Sequence, residues 1–130
     1  MADPVLRSMS PFFIVSDAPR ALAFYRDALG FEVTHASPQP DPFFAIVRRG
    51  GAQLFLKAID ESVQALPNAQ RHAWARWDAY VDTPDPDALA AEFASRGVSF
   101  SAPLADTDDG LRGFELKDTD GYVLFFGRPR

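Results

Sequence analysis

The stretch Ile14 to Val33 reads IVSDAPRALAFYRDALGFEV, and Tyr80 to Phe100 reads YVDTPDPDALAAEFASRGVSF. Both open on an apolar pair, pass through polar residues and a proline into an Ala-Leu-Ala core, and close on glycine, Gly30 in one and Gly97 in the other. From Arg20 against Asp87 onward the offset is a constant 67 residues. Further along, Phe43 to Leu56 (FFAIVRRGGAQLFL) matches Gly113 to Phe126 (GFELKDTDGYVLFF) at an ungapped offset of 70, with Gly51 on Gly121, Leu54 on Leu124 and Phe55 on Phe125. The chain is therefore read as a duplicated module of about 60 residues, and a repeat decides architecture before any single element does.

Each module reads as strand, helix, then strands. Pro11 to Val15 is rich in Phe, Ile and Val and predicts a strand. Ser16 or Asp17 then serves as N-cap, Pro19 falls in the first turn where its missing N–H costs nothing, and the helix runs to about Leu29. Leu22, Tyr25 and Leu29 share one helical face, as do Leu89 and Phe93 in the second module. There Asp85 caps, Pro86 sits early, and Gly97 stops the helix. Short strands are expected at Phe31 to His35 and Val98 to Ser101. Hairpins are expected at 43–48 with 52–58 around Gly50-Gly51, and at 114–117 with 122–127 around Asp120-Gly121. Ala36 to Pro42 reads as a loop. The expected fold is α+β, a single domain of two tandem βαβββ modules. A curved mixed sheet forms a cup and the helices lie on its outer face. Residues 8–58 are the first module, 59–73 a linker or arm without clear period, and 74–130 the second module.

Composition narrows the function. The 130 residues are 47% hydrophobic and 24% charged, an ordinary globular balance. No apolar stretch approaches the roughly 20 residues that span a bilayer, and the N-terminus has no apolar core of a secretory signal. A net charge of −5 argues against general nucleic-acid binding, which needs a basic footprint. With no cysteine there is no disulfide, thiolate metal site or cysteine nucleophile, and a reducing, cytoplasmic location is expected. Twelve Phe, two Trp and three Tyr supply more aromatic surface than two small helices need to cover.

The run VSDAPRALAFYRDALGFEV, the hairpin GGAQLFL and the ending FELKDTDGYVLFF resemble the vicinal oxygen chelate superfamily, which includes glyoxalase I, extradiol dioxygenases, fosfomycin-resistance enzymes and bleomycin-resistance proteins. The resemblance runs from about Ser10 to Gly127. In metal-using members it implies four ligand positions, on the first and last strand of each module. Carried over residue by residue they fall on Ser10, Phe55, Arg76 and Phe125. Phenylalanine has no lone pair to donate, arginine is a permanent cation, and serine alone is a poor ligand. A slip of one residue offers no better set. No metal and no cofactor are therefore expected.

Strand alternation places Ser10, Phe12 and Ile14, then Arg76, Asp78 and Tyr80, then Gln53, Phe55 and Lys57, and Val123 and Phe125, on one face. Phe13, Val15, Val81, Leu54, Leu56, Leu124 and Phe126 take the other. The second set is uniformly apolar and suits helix packing. The first mixes aromatics with a few polar groups, as ligand pockets do. Candidate ligand-binding residues are Ser10, Phe12, Phe55, Trp74, Arg76, Asp78, Tyr80, Glu115 and Phe125, with no catalytic residue assigned. His35 and His72 lack a carboxylate pattern and read as surface residues. Asp106, Asp108 and Asp109 lack calcium-loop spacing, and Asp118 and Asp120 read as turn formers.

The resemblance implies a metal-independent binding protein of the bleomycin-resistance type, which sequesters an antibiotic or similar small molecule in an aromatic groove of a homodimer. The expected partner is an aromatic or cationic small molecule, with no nucleic acid and no membrane. The alternative is an enzyme of the same superfamily, a lyase, isomerase or dioxygenase-like protein with a non-standard site, in which Arg76 would hold an oxyanion and Asp78 would act as base.

Overall fold

The computed structural model describes residues 3–130. The repeat is realised as two four-stranded sheets of the same order. The first contains β1 (Phe12–Ile14), β2 (Glu32–Ser37), β3 (Phe44–Arg49) and β4 (Ala52–Lys57), arranged β1-β4-β3-β2. The second contains β5 (Ala79–Asp82), β6 (Ala102–Asp106), β7 (Leu111–Lys117) and β8 (Val123–Pro129), arranged β5-β8-β7-β6. In each, the first strand runs parallel to the last and the other pairings are antiparallel. The sheets are curved and do not close. This is the α+β arrangement of two βαβββ units expected from the repeat.

The helices start where side chains satisfy their free amides. Asp17 accepts from the Arg20 N–H at 3.1 Å to open α1 (Ala18–Ala23), and Asp85 accepts from Ala88 at 3.0 Å to open α3 (Pro86–Ser95). Helix α1 continues into a wider, π-type stretch at Phe24–Ala28 that holds the fully buried Tyr25. Within residues 59–73, Asn68–Arg71 form the single turn α2.

One expected strand is displaced. Residues 98–101 are not a strand; the strand of that position is β6, at Ala102–Asp106. Gly97 takes φ +83°, its N–H bonds to Ala94 O and the Val98 N–H returns to Phe93 O. This pair of hydrogen bonds is a Schellman cap, so Val98 is committed to ending α3. Phe100 then packs on Phe114 with ring centroids 4.7 Å apart, and pairing with β7 begins only as Ser101 donates to Glu115 O. Strands β7 and β8 also extend beyond their expected limits, because Leu111 pairs with Pro129 and Arg112 with Arg128.

Alternation partitions the strands as expected. Phe13, Val15, Leu54, Leu56, Leu124 and Phe126 are all buried in one cluster with Leu22, Tyr25, Leu29 and Phe93, while Val81 is half-buried. Each large apolar side chain so buried contributes roughly 1.5–3 kcal/mol. The cluster is continuous across both modules, and polar contacts reinforce the seam. Phe13 stacks on Tyr122 at 4.1 Å, the Tyr122 hydroxyl donates to Ile14 O, and the Ser16 N–H donates to the Asp120 carboxylate. At the far side Arg49 donates to Glu92 of α3 at 2.7 and 2.9 Å and to the Leu29 carbonyl at 2.9 Å.

Candidate functional site

The face turned away from the helices carries an aromatic group in each module. In the first sheet, β1 and β4 pair Phe12 with Phe55, and β3 brings Phe44 alongside. The ring centroids lie 6.2 Å apart for Phe12 and Phe55 and 6.0 Å for Phe44 and Phe55, with His35 5.8 Å beyond Phe44. Phe12 is 54% exposed, so this group lies open. Ser10 sits at its edge, where its Oγ accepts from Gln53 at 3.0 Å.

In the second sheet the equivalent pair is Tyr80 with Phe125. Their rings stack at 5.6 Å with a 17° interplanar angle, and Trp77 lies 4.7 Å from Phe125 and 5.4 Å from Tyr80, so the three rings form a triangle. Phe125 lies flat against Gly113 and Gly127, which face each other across β7 and β8; a Cβ on either would fall 2.6 Å from the ring. The result is a three-ring cluster in which Phe125 is 3% exposed and Tyr80 39%. The Arg76 guanidinium caps it, 4.4 Å from the Trp77 ring, an arrangement that favours cation–π attraction. Arg76 is also ion-paired with Asp109, so its charge is already matched. Burial, followed by the nearby Asp82 charge, pushes the Tyr80 phenol up.

The remaining candidates are held by other contacts. Asp78 is committed to backbone: one oxygen accepts from Asn68 N–H and the other from Val123 N–H, both at 2.8 Å. It anchors α2 to the start of β8. Glu115, opposite Phe125 on β7, accepts from the Ser101 hydroxyl at 3.0 Å. Trp74 is 87% exposed and touches His72, outside the three-ring cluster. Phe12 and Phe55 thus come together, as do Arg76, Tyr80, Phe125 and, across β7 and β8, Glu115, but the two groups stand on separate sheets.

Trp77, Phe44 and His35 are the residues that sequence reasoning missed. Phe44 was accessible to it: Ala45 and Val47 are buried, so alternation sends Phe44 to the open face. Trp77 was not. Strict alternation from Asp78 turns it away from the face, but β5 begins only at Ala79, and the preceding chain is free of that rule.

The positions that metal-using relatives give to ligands do not suit an ion here. Phe55 and Phe125 are ring contacts, Arg76 is paired with Asp109, and Ser10 is bonded to Gln53. Among the described residues no three His, Asp or Glu side chains converge elsewhere. Asp106 and Asp109 of the acidic loop are instead paired with Arg112 and Arg76. No helix of the described residues is long and apolar enough to cross a membrane.

A fold of paired βαβββ units, with aromatic faces on its sheets, defines a class that comparison makes specific. Residues 10–126 match the model of the Glyoxalase/Bleomycin resistance protein/Dioxygenase superfamily, and the chain belongs to that family. Among solved structures it is similar to the bleomycin-binding protein of bleomycin-producing Streptomyces verticillus, determined with copper(II)-bleomycin. The two are 26% identical, with a TM-score of 0.69 and 100% of both chains covered. It also shares its fold with TioX from Micromonospora sp. ML1 (20% identity, TM-score 0.73, 95% of this chain and 98% of that one). A third likeness is to TnmS3, an antibiotic binding protein from Streptomyces sp. CB03234 (23% identity, TM-score 0.69, 100% and 99%). No curated protein shows significant sequence similarity to the chain.

Proposed function

We propose that this protein is a metal-independent, cytoplasmic binding protein that sequesters an aromatic or cationic small molecule, an antibiotic in the simplest case. The observation that carries the reading is the substitution of aromatic surface for donor atoms at the ligand positions. Phe55 lies in an open group with Phe12 and Phe44, and Phe125 packs beneath Trp77 and Tyr80. Such surfaces bind planar molecules through stacking and burial. Because the two groups stand on separate sheets, the reading includes a homodimer in which the first-sheet face of one chain meets the second-sheet face of its partner around the ligand. The 26% identical Streptomyces verticillus protein, which binds copper(II)-bleomycin, supports a small-molecule ligand. In the enzymatic alternative Asp78 would have to act as base while each of its oxygens also holds a backbone amide, which favours the binding reading.

The test is a titration of tryptophan fluorescence with planar and cationic antibiotics, a bleomycin among them, in chelator-treated protein, with the oligomeric state measured by light scattering. Saturable quenching that is weakened in Phe55→Ala and in Trp77→Leu is the expected result. Absence of binding across the panel overturns the reading, and turnover that requires an added metal replaces it with the enzymatic one.

A further inference from the structure

The sheet faces are one side of β4 and β8; the other side holds a second opening. Between the outer edge of β5 and the beginning of β4 the modules do not meet, leaving a cavity of about 580 Å³. Leu54, Leu89 and Leu124 line it, and Phe31, Phe93 and Phe126 back it. Alternation turns Leu54, Val81 and Leu124 away from the aromatic faces, so the apolar wall lies behind them, while Tyr80 and Asp82, on the aromatic side of the edge strand β5, border the rim. Its size falls within the range of small-molecule pockets, roughly 300–1,000 Å³.

Two ionic side chains reach the cavity, and they differ in what they have left to offer. Arg49 is spent: its guanidinium makes two bonds to Glu92 and one to the Leu29 carbonyl. Asp82, next to Thr83 at the rim, has no ion pair or side-chain hydrogen bond among the described residues. Gln53, also at the rim, is bonded to Ser10. The unmatched charge is therefore negative, in a protein whose net charge is −5.

We propose that this cavity between the modules is a second small-molecule site, which takes a compact aliphatic molecule carrying one ammonium group, its body against Leu54, Leu89 and Leu124 and its charge at Asp82. The walls reward apolar burial, and the carboxylate selects the cation over a neutral molecule of the same shape. Its apolar wall is distinct from the aromatic group of the first sheet, and Tyr80 borders both this cavity and the aromatic group of the second.

The experiment uses 1-adamantanamine as probe, with 1-adamantanol and 1-adamantanecarboxylate as neutral and anionic controls, followed by amide chemical shifts. Saturable shifts at Val81, Asp82 and Leu89 are expected, with the amine favoured over the alcohol by about fivefold, as a solvent-accessible ion pair allows. Asp82→Asn should erase that preference while retaining both probes. Val81→Trp and the milder Leu89→Phe, which fill the space, should weaken both, with the native spectrum confirming that each variant folds. Phe55→Ala should leave amine binding unchanged, which separates this site from the aromatic group of the first sheet. Three results overturn the proposal. They are shifts confined to Phe12, Phe44 and Phe55, equal binding of the amine and the alcohol, and shifts at Val81 and Leu89 that follow protein concentration without probe. The last would mean that a second copy of the chain covers the cavity.

Discussion

The Tyr25 hydroxyl, from the first module, donates a 2.7 Å hydrogen bond to the Asp118 carboxylate of the second. Asp118 is the buried charged residue of the core, and its other oxygen accepts the N–H groups of Asp120 and Tyr122. A turn-forming aspartate has thereby become a bolt between the modules. Burial pushes its carboxyl up to about 6, against the lowering effect of those three hydrogen bonds.

That shift has a definite sign. The folded protein holds the Asp118 proton more tightly than the unfolded chain, whose carboxyl titrates near 3.9. The stabilisation from this group is full below about pH 4 and is lost as pH rises through about 6. In Asp118→Asn the amide oxygen can still accept the two backbone N–H groups, and its nitrogen can donate to the Tyr25 oxygen with the direction of that bond reversed. The stability of the wild type relative to this variant should fall by about 2 kcal/mol between pH 4 and pH 7. Urea unfolding across that range measures it, and parallel curves for the two proteins would refute the assignment.

Tyr25→Phe removes the donor and leaves a buried carboxylate oxygen unpaired. A loss of about 2 kcal/mol at pH 7 is expected from equilibrium unfolding. The loss should shrink in the Asp118→Asn background, because a neutral partner needs the hydroxyl less. Equal losses in both backgrounds would mean that Tyr25 acts by packing alone.

The opposite side of the seam depends on Arg49. Its pair with Glu92 is about one-third exposed, and the hydrogen bond between them is the main cause that holds the Glu92 carboxyl below its usual range. Arg49→Ala also frees the Leu29 carbonyl at the end of the first helix. Together these should cost about 1 kcal/mol, since exposed ion pairs are worth little. Thermal melts should show part of the difference vanishing at high salt.

Gly113 and Gly127 face each other beneath Phe125. An added Cβ would lie 2.4 Å from the Phe126 carbonyl oxygen at Gly113, and 2.5 Å from that of Arg112 at Gly127. Neither backbone can yield cheaply, so Gly127→Ala should lower stability by at least about 1–3 kcal/mol. The displaced ring should also change the near-ultraviolet circular dichroism of the stacked Trp77. A variant with wild-type melting and spectrum would contradict the packing described.

Metal addition gives a further test. A ligand that binds only the folded state raises the apparent melting temperature. Ni²⁺, Zn²⁺, Fe²⁺ and Mn²⁺ should produce no stoichiometric binding and no rise. One tight ion per chain would show that Ser10, Phe55, Arg76 and Phe125 are the wrong positions.

Much of this protein was decided locally. The cap-proline-glycine sequence around each helix and the strand alternation of LFLK and VLFF are short-range properties, fixed by backbone hydrogen bonding and side-chain period. They determined the duplicated βαβββ units, the buried face and the pairing of Phe55 with Phe125 as equivalent positions. Tertiary structure decided what the polar and aromatic residues near those elements do. Trp77 turns onto the stack because it precedes β5, and Trp74 stays outside it. Asp78 is drawn to two backbone amides, and Asp118 meets Tyr25, 93 positions earlier in the chain. Val98 caps a helix where its residue type favours a strand. In each case the outcome depends on a partner distant in sequence or on where an element ends. The cost of burying an unpaired polar group, rather than local propensity, then selects the contact.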